Sequence, residues 1–145
     1  MALALSIYRL SSRAYRSGFP RIAIVLKQIN LALFGCDISP QAILGDVVLA
    51  HTSGLVIGAD AEVGDGSVLM SSVVLGATGA RDPNDVRNPT PVVRGKCRIG
   101  AGAKLLGAIE VGANATIGAN AVVLRDVPAG TTVVGIPARP VVHRR

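Results

Sequence analysis

The sequence predicts a mainly β protein: a parallel β-coil of six-residue repeats, preceded by a short helical segment and interrupted by one extruded loop. Three observations carry this. Aliphatic residues recur at intervals of six over most of the chain, and a small residue stands four positions after most of them, with glycine or another turn former between. Half of the 145 residues are hydrophobic, yet only 3% are aromatic and Trp is absent. A core must then be filled by Val, Ile, Leu and Ala, which pack well only in a very regular framework. The length suits one domain and the composition excludes a disordered chain.

Residues 1–35 have a different period. From Leu3 to about Phe34 the apolar residues fall at helical spacing: Leu3, Ile7 and Leu10, then Ile22, Val25, Leu26, Ile29 and Leu33. Gly18-Phe19-Pro20 divides the run into two helices. Arg9, Arg13, Arg16, Arg21 and Lys27 occupy the other faces, and no acid precedes Asp37. The expected role is a helical cap whose apolar stripe packs on the rest of the protein or on a partner subunit. Membrane-surface contact is the alternative that the basic, acid-free composition permits. The apolar runs are broken by arginines and lack a cleavage site, so a signal peptide is not expected, nor is a membrane span. Beyond residue 36 there are 10 bases and 9 acids, which excludes the broad basic face of a nucleic-acid binder.

From Cys36 the period becomes six. Ile38 and Leu44 begin it; Ile57, Val63, Leu69 and Leu75 continue it; Val93, Ile99, Leu105, Val111, Ile117 and Val123 form an unbroken series. One aliphatic per six residues with a tight turn between describes a short flat strand and a corner, repeated. Three such sides close a triangular coil of about eighteen residues, stacking like aliphatics on one another. The stretch Ala77 to Val92 has no such phase and is polar and proline-rich, so it reads as a loop, 77–92, thrown out of the 36–145 coil.

His51 is the only histidine within the repeats, and an imidazole, with an ordinary pKa near 6.5, suits a base at neutral pH. His143 lies in a basic tail and reads as solvated. Cys36 and Cys97 stand 61 residues apart, with no CxxC pair and no zinc-type spacing, so neither a disulfide scaffold nor a metal site is expected and a reducing cytoplasm is. Cys97 falls in the inward small slot of a repeat.

Five stretches carry a resemblance: Cys36-Asp37-Ile38-Ser39-Pro40, Ala50-His51-Thr52-Ser53-Gly54-Leu55-Val56-Ile57-Gly58, Ile99 to Gly107, Val127-Pro128-Ala129-Gly130-Thr131-Thr132, and Gly135-Ile136-Pro137-Ala138-Arg139. Over roughly residues 35–141 the chain resembles the catalytic domain of the serine acetyltransferases, members of the left-handed β-helix, hexapeptide-repeat acyltransferases. The resemblance implies a left-handed coil, a homotrimer with sites between subunits, and acetyl-CoA as co-substrate without a metal. It also implies direct attack on the thioester, with no acyl-enzyme on Cys36. By the same resemblance His51 is the catalytic base and Asp37 the carboxylate that orients it. Gly76, Ala77, Ala101 and Ala119 line the cofactor groove, with Lys104 or Arg139 toward its phosphates. Arg87 and Asn88 shape the acceptor pocket from the loop.

Departures bear on the acceptor. Ala50 stands where serine-specific members have an acid before the histidine, and Arg87-Asn88-Pro89 keeps the arginine of an Arg-His-Pro but loses its histidine. One residue is missing between Gly45 and His51 relative to the common pattern. Serine leads as acceptor, a sugar hydroxyl of polysaccharide biosynthesis follows, and a non-catalytic solenoid scaffold is the alternative of another class. The isoleucine-ended tail that docks such enzymes into cysteine synthase is lacking, so that complex is not expected.

Overall fold

In the computed structural model, which describes residues 2–78 and 89–141, each six-residue unit forms a strand of two or three residues followed by a corner. Every third strand pairs with its predecessor, so the strands sort into three faces. The first face stacks β1 (Asp37–Ile38), β4 (Val56–Ile57), β7 (Val74–Gly76), β10 (Lys104–Leu106) and β13 (Val122–Val123). The second stacks β2 (Ile43–Leu44), β5 (Glu62–Val63), β8 (Val92–Val93) and β11 (Glu110–Val111). The third stacks β3 (Val48–Leu49), β6 (Val68–Leu69), β9 (Arg98–Ile99), β12 (Thr116–Ile117) and β14 (Thr132–Val134). All of these pairings are parallel; β15 (Arg139–Pro140) closes the third face antiparallel to β14.

Register turns the six-residue period into interior ladders. Ile38, Ile57, Leu75, Leu105 and Val123 are aligned on the first face. Leu49, Leu69, Ile99, Ile117 and Val133 are aligned on the third, and all ten are buried. A strand's neighbouring residue points the opposite way, so one aliphatic per strand suffices. The corners need small residues: Ala61, Ser67, Cys97, Ala103, Ala115 and Ala121 are all buried. The Ser67 hydroxyl donates to the Arg94 carbonyl at 3.1 Å, and the Cys97 thiol donates to Gly112 at 3.2 Å, so both polar atoms are satisfied within the prism.

The spacing departs from six at four places: near the C-terminal end Val127 bridges Val111 only four residues after Val123, and β14 starts ten residues after β13; the other three define the molecule's features. From Ile43 to Val48 is five residues instead of six, and from Val48 to Val56 is eight. From Val74 to Val92 is eighteen, three times the regular step. Arg87 and Asn88 of the expected loop, and His143, lie outside the described residues.

Two helices, α1 (Ala2–Arg16) and α2 (Pro20–Phe34), precede the coil, parted at the Gly18-Phe19-Pro20 break. Gly35 ends α2 with a left-handed φ of 64°, donating its N–H to Leu31 at 2.9 Å, a cap conformation that glycine adopts without a Cβ penalty. The helices run antiparallel: Asn30 donates to the Ala4 carbonyl at 3.1 Å, and Ser11 to that of Ala23 at 2.8 Å. The Tyr8 hydroxyl fastens α1 to the coil, donating to the Ala42 carbonyl at 2.6 Å and accepting from Leu44 N–H at 3.3 Å.

The apolar stripe was expected to pack on the rest of the chain or on a partner subunit, and within the single chain it is left uncovered. The face that packs is Ala4, Tyr8, Ser11, Ser12, Ala23 and Asn30, while Leu3, Leu10, Ile22, Val25, Ile29 and Leu33 are 40–65% exposed. Small and hydrogen-bonding side chains let two helices and a coil end approach closely, and the bulky aliphatics are left outside. No helix among the described residues is long and apolar enough to cross a membrane.

Leu105, fully buried in the middle of the first-face ladder, tests the stacking. Leu105→Ala is expected to lower unfolding free energy by about 2–5 kcal/mol in urea titration, because the neighbouring coils are tied by backbone bonds and cannot collapse into the void.

Candidate active site

The eight-residue step from Val48 to Val56 stacks on a six-residue step, Val68 to Val74, so the corner at residues 50–55 carries two residues more than the corner beneath it. A corner wider than its neighbour has to bulge outward, and His51 rides on the bulge, exposed at the edge between the third and first faces. Below it on the same edge, Met70 N–H bonds the Ile99 carbonyl, Gly102 N–H that of Ser71, and Asn120 N–H that of Ala101. Ala101 and Ala119 therefore lie on the His51 edge, two and three coils further on. At about 4.8 Å per coil this is a track of roughly 14 Å.

The backbone demands of that edge explain its small residues. The turn position of each coil is left-handed: φ is 69° at Gly54, 58° at Ser72, 74° at Gly102 and 56° at Asn120. A Cβ on Gly100 would lie 2.6 Å from the backbone nitrogen of Ala119, which forbids any larger residue there while the coils stack. The result is a narrow strip of exposed backbone beside the imidazole. Val134, directly beneath Gly118, pairs with Arg139, whose exposed guanidinium stands at the C-terminal end of the same edge.

The remaining candidates flank the strip. Asp37, Val56, Val74, Lys104 and Val122 form one row on the outer side of the first face. Gly76 and Ala77 lie at its far edge, where the loop departs, and a Cβ on Gly76 would meet open space. The Lys104 ammonium donates to the Ser72 carbonyl at 2.8 Å, which holds it against the His51 edge. The first face with its two edges thus gathers the described candidates.

Asp37 opens β1, beside α2. Its carboxylate pairs with Lys27 Nζ at 2.7 Å, both side chains being only partly exposed, and among the described residues no hydrogen bond or ion pair joins it to His51. The two groups are nevertheless on adjoining segments: Gly54 N–H donates to Gly35 at 2.8 Å, and Asp37 N–H to Leu55 at 2.8 Å. Lys27 was missed in the sequence. The signal for it was the spacing Ala23, Lys27, Asn30, Phe34, which marks the face of α2 turned toward α1 and β1.

Cys36, next to Asp37, is fully buried. Burial pushes its thiol up from the ordinary range; its own backbone hydrogen bond opposes this, and the Asp37 charge adds to it. Burial likewise raises Cys97. Both sulfurs are therefore held as thiols, and neither is an available nucleophile.

Known proteins share this coil. Residues 90–125 match the family described as bacterial transferase hexapeptide (six repeats). A serine acetyltransferase of Buchnera aphidicola is 41% identical over 137 residues, covering 94% of this chain and 49% of the relative. That of Helicobacter pylori is 41% identical over 143 residues, covering 98% of this chain and 81% of the relative. The chain belongs to the serine acetyltransferase family. A solved member, serine acetyltransferase from Brucella abortus in complex with coenzyme A, superposes with a TM-score of 0.88 at 38% identity, covering 95% of this chain and 54% of that one. The coil accordingly has the left-handed sense of the family's parallel β-helix. The chain spans about half the length of several of the curated relatives it matches.

Holding the thiols protonated makes a test. The neutral form is favoured in the folded state, so this contribution to stability is present below the ordinary thiol pKa and fades as pH rises past it. Iodoacetamide at pH 8 is expected to label neither Cys36 nor Cys97 in the folded protein and both in urea, as read by mass spectrometry.

Proposed function

We propose that this chain is a CoA-dependent O-acetyltransferase that moves acetyl from acetyl-CoA to the hydroxyl of a small acceptor, serine first among them. The observation that carries this reading is the shared edge: an exposed imidazole on a two-residue bulge, followed along the coil by a strip of small residues. A thin, extended pantetheine arm needs such a strip to reach backbone amides, and its thioester then ends beside the base.

In this reading the neutral His51 ring takes the proton of the acceptor hydroxyl as that oxygen attacks the thioester carbonyl carbon. The carbonyl electrons move to oxygen, return as the C–S bond breaks, and the proton on His51 passes to the departing sulfur. The products are an acetyl ester and CoA thiol. Asp37 stabilises the imidazolium, and Lys27 holds Asp37 from the α2 side. Gly76, Ala77, Ala101 and Ala119 admit the cofactor, Lys104 and Arg139 meet its phosphates, and Arg87 with Asn88 contacts the acceptor.

One prism offers a single wall, so we place the site in a cleft between adjacent copies of a homotrimer in the cytoplasm. The second reading, a hydroxyl acceptor without an ammonium group such as a sugar, is favoured by Ala50, which supplies no carboxylate beside His51, and by the engagement of Asp37 with Lys27. A purely structural solenoid is disfavoured because neither the bulged corner nor the long loop adds to stacking.

The deciding experiment follows CoA release with a thiol reagent, using acetyl-CoA and a panel of serine, homoserine and nucleotide sugars. Acceptor-dependent release is expected, with serine fastest; absence of release with every acceptor in the panel, together with absence of CoA binding, would overturn the reading in favour of a scaffold. His51→Ala is expected to lower kcat by about 10²–10⁴-fold while the oligomer persists in size-exclusion chromatography. Lys27→Met is expected to lower kcat roughly tenfold with the KM for acetyl-CoA unchanged, and Lys27→Arg to keep most of the activity, since only the position of Asp37 is altered.

A further inference from the structure

The helical hairpin leaves a surface that the catalytic reading does not use. Leu3 and Leu10 on α1, and Ile22, Val25, Ile29 and Leu33 on α2, are 40–65% exposed. The α2 residues follow helical spacing and form one stripe along its length. Such a concentration of large exposed aliphatics is unusual for a water-facing surface.

Its electrostatics are one-sided. Residues 1–36 hold five bases and no acid. Lys27 is paired with Asp37, and Arg9 reaches Asp46 at 3.8 Å, but among the described residues Arg13, Arg16 and Arg21 enter no ion pair. On α1, Arg9, Arg13 and Arg16 follow one another at helical spacing beside the face that carries Leu3, Ile7 and Leu10. Aliphatics at the depth of acyl chains with guanidinium groups beside them are what an interfacial helix presents to lipid. Neither helix is long enough to span, so the hairpin would lie on the surface.

We propose that the α1–α2 hairpin docks this protein on a membrane bearing anionic lipid. Charge complementarity selects this occupant: a second copy of the same hairpin would set arginines against arginines. The arrangement gains from the trimer proposed above. Three parallel prisms about one axis carry their helical ends on the same side, so three weak contacts act together, each raising the effective concentration of the others. Held this way, the protein works at the lipid surface with its prism axis pointing away from the membrane.

The test is sedimentation of the full chain with vesicles of phosphatidylcholine alone and of phosphatidylcholine with phosphatidylglycerol. Binding is expected only to the anionic vesicles and to fall steeply between 50 and 500 mM salt. Arg13→Gln with Arg16→Gln is expected to weaken it by roughly fivefold per base removed. Val25→Glu with Ile29→Glu is expected to abolish it; both positions are exposed, so circular dichroism and thermal unfolding should match the parent. No binding to anionic vesicles, or equal binding by the glutamate variant, would overturn the proposal. So would sedimentation velocity showing a larger assembly that this variant splits, because a second copy would then cover the face. CoA release by the glutamate variant in free solution should be unchanged, which separates failure of the docking proposal from failure of the acetyltransferase reading.

Discussion

Everything in this protein depends on keeping equal chain lengths between stacked strands. A coil pairs with the next only if each side supplies the same six residues, because the backbone bonds that join coils are parallel and the interior aliphatics must meet their counterparts one strand spacing apart. A single added residue within a strand would turn its aliphatic outward and break the ladder. Length can therefore change only at corners, where extra chain leaves the prism without disturbing the pairing.

That constraint explains where the exposed imidazole sits. The coil has little freedom to place a functional group on its faces, since the inward positions are committed to packing and the outward ones to a flat wall. The widened corner frees His51 from both demands. The eighteen-residue step from β7 to β8 likewise falls between strands and leaves their pairing intact. Between them the wall remains smooth, because glycine and alanine are imposed by close contact of successive corners, as Gly100 against Ala119 illustrates. The same stacking that demands small residues for packing thus leaves an accessible backbone strip.

The helices obey a different rule, and the contrast is informative. An amphipathic pattern says which residues share a face but not which face is turned inward. The larger aliphatics of α1 and α2 make the more apolar stripe, yet Ala4, Ala23, Ser11 and Asn30 make the contacts, because the helices cross close enough for side-chain to backbone hydrogen bonds. Lys27 belongs to this inward face, and its pairing with Asp37 ties the hairpin to the first strand of the coil.

The period of six and the scarcity of aromatic residues were legible in the sequence, because each is a one-dimensional consequence of stacking identical short sides. The bulge that carries His51 was also written there, in the steps from Leu44 to Leu49 to Ile57, five and then eight residues where six is the rule. Two things were decided only by the folded chain: the partner of Asp37, and the exposure of the helical stripe. Both depend on the direction from which α2 meets the first coil, and that direction is set by contacts between residues far apart in sequence, which no local spacing records.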